Sequence, residues 1–172
     1  VQGNGSPQLR KLAQMMNAPV TNTLMGLGAY PATDRQFVGM LGMHGAYEAN
    51  MAMHNCDVLL AVGARFDDRI TNTVSKFCPN ATIIHVDIDP ASISKTVTAD
   101  VPIVGPVISV LDDLNAILET GLEGRSAEVN SALAAWWEQI AGWRQQDSLK
   151  VDLGDGSLIK PQQVIQSVYR AT

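Results

Sequence analysis

Apolar positions along this chain follow two patterns that alternate. Leu9, Leu12 and Met16 recur at helical spacing. Ser6-Pro7 before them offers an N-cap followed by proline, whose missing N–H loses no bond in a first turn. A helix is predicted from Ser6 to about Met16, ended by Asn17. Pro19-Val20-Thr21 opens a short strand. Gly26, Gly28, Pro31, Gly39, Gly42 and Gly45 then punctuate the chain so densely that this stretch reads as one long loop. Helical spacing returns from about Ala46 to Asn55, through Ala49, Met51, Ala52 and Met53. Val58–Val62 is a continuous apolar run, the pattern of a strand buried on both faces. Thr82–Val86 and Val101–Val104 repeat it, and Val107–Leu118 is helical, closing at Gly121.

Strands of this kind separated by helices imply a parallel sheet with helices on both faces, a doubly wound α/β architecture. The pattern changes after Gly121. Gly124 to about Ser126 reads as a linker, and Ser131–Gln146 as an amphipathic helix carrying Trp136, Trp137 and Trp143. Asp152–Ser157 is a polar loop. Lys160-Pro161 starts a last helix with Val164, Ile165, Val168 and Tyr169.

Composition narrows the classes. The 172 residues correspond to one domain and a remainder at ~150 residues per domain. With 46% hydrophobic and 17% charged residues, such a chain holds a core without metal or disulfide. A net charge of −5 with no Lys/Arg-rich block argues against a nucleic-acid partner. The apolar runs are too short to cross a membrane, and no basic and apolar leader opens the chain. Two cysteines, Cys56 and Cys78, are too few for a disulfide framework. They are expected to be reduced, in a cytoplasmic protein.

Candidate chemistry gathers where strands end. Thr23-Leu24-Met25-Gly26-Leu27-Gly28 follows a strand, where glycines let a ligand approach the backbone; a flexible loop is an equal reading. Gly39-Met40-Leu41-Gly42-Met43-His44-Gly45 is not strand-like and runs into a helix, whose free N–H groups suit an anion. For His44 a capping or hydrogen-bonded structural role is the plainer reading, and His54 and His85 read as structural. Gly63-Ala64-Arg65-Phe66-Asp67-Asp68-Arg69 is the strongest signal. Its four charges in five positions could pair among themselves, but arginines at the carboxyl edge of a sheet also suit phosphates or carboxylates. After the next strand, in Asp87-Ile88-Asp89-Pro90, Asp87 fits a ribose acceptor and Asp89 a turn cap. The fingerprint Gly-x-Gly-x-x-Gly is absent, and Gly154-Asp155-Gly156 reads as a surface turn.

In order and spacing, Thr23–Gly28, Gly39–Gly45, Gly63–Arg69 and His85–Pro90 resemble the catalytic subunits of the acetohydroxyacid synthase (acetolactate synthase) family. The likeness runs from about Pro7 to Leu118 and weakly beyond, and Arg65-Phe66-Asp67-Asp68-Arg69 is its most specific motif. It implies a parent of three domains, the outer two binding thiamine diphosphate and Mg²⁺ and the middle one FAD. Residues 1–121 would be most of that middle domain, lacking its opening strand and Gly-Gly-Gly turn. Residues 122–159 would be a connecting segment and 160–172 the start of the third domain. Thr23, Leu24 and Met25 would line the flavin, with Gly42, Met43 and His44 packed on it. Gly63, Ala64, Arg65, Asp67 and Arg69 would hold the cofactor's middle, and Asp87 and Ile88 its adenosine end. Arg69 and Met43 would also meet the second 2-ketoacid. Pro106 departs from the pattern, since many members carry Asp there.

The resemblance further implies decarboxylation of pyruvate and transfer of the two-carbon unit to a second 2-ketoacid, in branched-chain amino-acid synthesis. A homo-oligomer and a regulatory subunit are implied for the parent. The activating glutamate and the diphosphate motif lie in the other domains, so these residues alone are expected to be inactive. Two other classes fit the residues: a free-standing, non-catalytic nucleotide-binding module, and a subunit-interaction piece built on the Trp-bearing helix.

Overall fold

A computed structural model of the chain describes residues 1–152 and 158–172. Its five strands are β1 (Val20–Asn22), β2 (Phe37–Met40), β3 (Val58–Val62), β4 (Thr82–Asp87) and β5 (Val101–Val104). Its α-helices are α1 (Ser6–Met15), α2 (Tyr47–Asn55), α3 (Asp68–Thr71), α4 (Val107–Gly121), α5 (Ser126–Arg144) and α6 (Pro161–Ala171). All strand pairs are parallel, as the alternating pattern requires. They form two sheets, β1–β2 and β3–β4–β5, where a single sheet is the sequence-based expectation.

β2 lies inside the segment that reads as a loop, so Gly39 and Met40 are strand residues. Pairing decides this: Thr21 stands opposite Gly39 and Asn22 opposite Met40. Gly39 takes φ +117 and sits under α2, where a Cβ would come within 3.2 Å of the Ala46 Cβ. Close approach of helix and strand, not β-propensity, places glycine there.

The expectation of strands buried on both faces holds for β4, where Ile83, His85 and Val86 are buried. It fails for β3 and β5. Val58 is 52% exposed, and Val101 and Val104 are also exposed. Among the described residues β3 and β5 each have one neighbour, β4, so each leaves an open edge to solvent.

Helix ends differ from expectation in detail. Gly5, not Ser6, occupies the N-cap of α1, with no side-chain cap bond. α5 begins at Ser126, inside the expected linker, and the preceding turn passes through Gly124 at φ +72. Lys160 caps α6, with its backbone N–H donating to Gln163 Oε1 at 2.6 Å. The expected turn at Gly154-Asp155-Gly156 falls outside the described residues.

One hydrophobic cluster joins Ala61, Phe66, Phe77, Cys78, Ile83 and Val97 beneath the β3–β4 pair. A second joins Val38, Ala52 and Ile140. Ile140 is fully buried, and Trp136, Trp137 and Trp143 pack around it. The tryptophans therefore pack α5 onto β2 and α2. Trp137 Nε1 donates to the Asn17 carbonyl at 2.9 Å. The guanidiniums of Arg35 and Arg144 lie 5.4 and 5.9 Å from its ring centroid. α1 packs against α4, where Leu111 is fully buried and Asn115 Nδ2 donates to the Gln8 carbonyl at 3.1 Å.

Candidate functional site

Parallel strands present their carboxyl ends on one edge, and here the ends of β1, β2, β3 and β4 open into the segments singled out above. After β1, Thr23 caps a short 3-10 turn, Leu24–Gly26, by accepting from the Gly26 N–H at 3.0 Å. That turn leaves Leu24 and Met25 in solvent, Met25 at 80% exposure. After β2 the chain turns sharply at Gly42, φ +101. Asn50 of α2 clamps it from both sides. Its Oδ1 accepts from the Gly42 N–H at 2.8 Å, and its Nδ2 donates to the Gly42 carbonyl at 3.0 Å. Met43 and His44 are left exposed beyond this clamp.

His44 neither caps nor precedes α2 directly, since Ala46 is the N-cap. At that helix start the Tyr47 N–H donates to Ser148 Oγ at 3.1 Å.

The β2 loop then meets the β3 loop. The Met43 N–H donates to the Arg69 carbonyl at 2.7 Å, and Arg69 Nη1 lies 3.8 Å from Met43 Sδ. Gly42 is needed at this crossing, since a Cβ there would stand 2.7 Å from the same carbonyl oxygen. Gly42, Met43 and Arg69, widely separated in sequence, are thus neighbours.

Within the β3 loop, Gly63 turns at φ +62 with open space where a Cβ would be. Its N–H donates to the Val86 carbonyl of β4 at 2.7 Å. Arg65 pairs with Asp67 at 2.7 Å, both exposed, so part of the charge run is internally paired. The Asp67 carbonyl accepts from the N–H groups of Ile70 and Thr71 and so starts α3. Among the described residues Arg69 has no carboxylate within ion-pair distance, and its side chain faces solvent.

Phe66 anchors the loop from below. It is buried with φ +54, edge-on to Phe77 at 5.7 Å and to His85 at 4.9 Å between centroids. A bulky residue in this backbone region is strained and persists because its surroundings over-determine it. His85 supplies one of those constraints: its Nε2 is 2.9 Å from the Ala64 carbonyl. The structural role expected of His85 is therefore in place, though its buried Nδ1 has no partner among the described residues.

After β4, Asp87 Oδ1 accepts from the Asp89 N–H, and Asp89 Oδ1 from the Ala91 N–H, each at 2.9 Å. Asp89 is thus the cap of the turn at Pro90, as read. Asp87 stands at the strand end with Ile88 exposed beside it.

The edge therefore carries three kinds of group together. Leu24, Met25, Met43 and Ile88 are exposed apolar side chains. Arg65 and Arg69 are exposed cations, and Asp87 is an acceptor at a strand end. Such a set suits an elongated ligand with an apolar ring, a charged middle and a hydroxylated end. Asn50, Phe66 and His85 shape the site without being readable as its members from sequence. Asn50 carries no motif, and only the fold brings it to Gly42. A separate concavity of about 710 Å³ between α1 and residues 27–32 is lined by none of the predicted site residues.

Comparison with known proteins places this edge in context. The acetolactate synthase large subunit of Haemophilus influenzae is 52% identical over 168 residues, covering 97% of this chain and 28% of that protein. The acetolactate synthase isozyme 3 large subunit of Escherichia coli K12 is 53% identical over 165 residues, covering 96% and 28%. The acetolactate synthase large subunit of Mycobacterium tuberculosis is 43% identical over 169 residues, covering 98% and 26%. The chain thus spans just over a quarter of the length of the curated relatives it matches. Residues 1–114, which include every strand and every loop of this edge, match the family model described as the central domain of thiamine pyrophosphate enzymes. With parallel α/β topology and this match over most of its length, the chain belongs to the thiamine pyrophosphate enzyme central-domain family.

Proposed function

We propose that these residues are the FAD-binding middle part of an acetolactate synthase catalytic subunit. The observation that carries the reading is that exposed Met25 and Met43, the Arg65–Asp67–Arg69 loop and Asp87 all lie at the carboxyl ends of parallel strands, with the two sheets meeting where Arg69 touches Met43. Thr23, Leu24, Met25, Gly42, Met43 and His44 would flank the isoalloxazine. Gly63, Ala64, Arg65, Asp67 and Arg69 would hold the diphosphate, where guanidinium forks match phosphate oxygens. Asp87 would accept from the adenosine ribose, with Ile88 against the adenine. FAD supplies a rigid aromatic surface here and takes no net redox part.

In the parent, thiamine diphosphate and Mg²⁺ belong to other domains. The reaction is decarboxylation of pyruvate and addition of its two-carbon unit to a second 2-ketoacid. Arg69 would orient that acid's carboxylate: it is exposed and lies against Met43, which bounds the apolar side. Among the described residues the two sheets are not joined by strand pairing, which supports a further parallel strand of the parent between them. Partners are the remaining domains, a second copy and a regulatory subunit, in the cytoplasm.

The test is FAD titration of the polypeptide carrying these residues, read by flavin fluorescence. Saturable quenching is expected, with roughly tenfold or greater weakening in Asp87→Ala and Arg65→Ala, about 1.4 kcal/mol per tenfold. Unchanged affinity in both variants would remove the assignment. Arg69→Ala is expected to raise KM for the second 2-ketoacid in the full-length enzyme more than it lowers FAD affinity.

A further inference from the structure

Cys56 and Cys78 belong to different parts of the chain. Cys56 is the C-cap of α2, and Cys78 lies in the turn entering β4, at φ +42. Both thiols nevertheless converge on one atom. The Cys56 thiol donates to the Met53 carbonyl at 3.0 Å and the Cys78 thiol to the same oxygen at 3.2 Å. The fold thus brings both sulfurs to a single carbonyl oxygen. A plain reading exists: the last carbonyls of a helix lack intrahelical partners, and thiols satisfy one here.

The two thiols are unequal. The neighbouring Cys78 thiol holds the Cys56 thiol below its ordinary value, against an opposing push from burial. The same neighbourhood, with burial, drives the Cys78 thiol far up. Cys56 is partly open to solvent, whereas Cys78 is buried beside Phe77. This is the arrangement of an attacking thiol and a resolving thiol. Neither residue belongs to the carboxyl edge described above.

We propose that Cys56 and Cys78 form an intramolecular disulfide when hydrogen peroxide oxidises the chain. The Cys56 thiolate attacks a peroxide oxygen. An S–O bond forms, the O–O bond breaks, and the departing hydroxide takes the thiol proton to become water. The Cys78 sulfur then attacks the Cys56 sulfenic sulfur. The S–S bond forms, the S–O bond breaks, and hydroxide leaves with the Cys78 proton as a second water. Two thiols are oxidised and one peroxide is reduced. The bond closes a loop that contains β3 and the whole Gly63–Arg69 segment, and so ties the base of that segment to α2.

The full chain is exposed to hydrogen peroxide, unfolded, alkylated with iodoacetamide and weighed intact. The expected product has lost the mass of two hydrogens, carries no alkyl group at either cysteine and recovers both thiols with dithiothreitol. In Cys56→Ser, Cys78 is expected to stay fully alkylatable under the same exposure. Oxygen addition at Cys56 with Cys78 still free would overturn the proposal. So would a disulfide-linked dimer, or two thiols that remain alkylatable.

Discussion

Substituting Gly42 separates two costs that usually arrive together. Gly42→Ala places a methyl at φ +101 and 2.7 Å from the Arg69 carbonyl oxygen. The conformational part costs about 1–3 kcal/mol. The contact part must displace a backbone oxygen that accepts from the Met43 N–H at 2.7 Å, and losing that bond costs roughly another 1 kcal/mol. Gly28→Ala is the control for the first part alone, since Gly28 has φ +90 and nothing lies within 4 Å of its would-be Cβ. Gly142→Ala is the control for neither: Gly142 lies in α5 with open space around it, and alanine there should stabilise by about 0.5–1 kcal/mol. In urea unfolding with a slope of about 2 kcal/mol per M, Gly42→Ala should lower the midpoint by roughly 1–2 M. Gly28→Ala should lower it by roughly half as much, and Gly142→Ala should raise it slightly. Coincident midpoints for Gly42→Ala and Gly28→Ala, at unchanged slope, would refute the reading that the β2 and β3 loops are held together at the Arg69 carbonyl.

Three further outcomes are expected. Ile140→Ala empties a fully buried site between β2 and α2; it should cost about 2–5 kcal/mol and shift tryptophan emission to the red as α5 loosens. Trp137→Phe keeps most of the packing but removes the Nε1 donor to Asn17, so urea unfolding should show a loss of about 1 kcal/mol. Asp67→Asn breaks an ion pair whose side chains are 70% and 47% exposed; stability should change by less than about 1 kcal/mol, while flavin affinity changes measurably, and the reverse pattern would make the pair structural.

Much of the element order was legible because it rests on local periodicity. Val58–Val62, Thr82–Val86 and Val101–Val104 announce strands through runs of apolar, mostly β-branched or branched residues, and Val107–Leu118 announces a helix through its spacing. The segments that form the carboxyl edge were legible too, because glycines and charges interrupt the apolar pattern where strands end. β2 was not: Phe37–Met40 contains a glycine and sits among turn residues, and it is a strand because β1 offers it a parallel partner.

The sequence by itself determined the α/β class, the parallel sense of the strands and the family, since these follow from short-range pattern and from motifs at fixed spacing. Tertiary structure alone decided which loops meet. The approach of Met43 to Arg69, the Asn50 clamp on Gly42 and the meeting of Cys56 with Cys78 all join residues with no local signal for each other. It also decided that the tryptophans of α5 close on β2 and α2. The physical reason is the range of the forces involved. Periodicity reports the preference of a segment for one face, but packing and hydrogen bonding between segments exist only once the whole chain has chosen which faces to join.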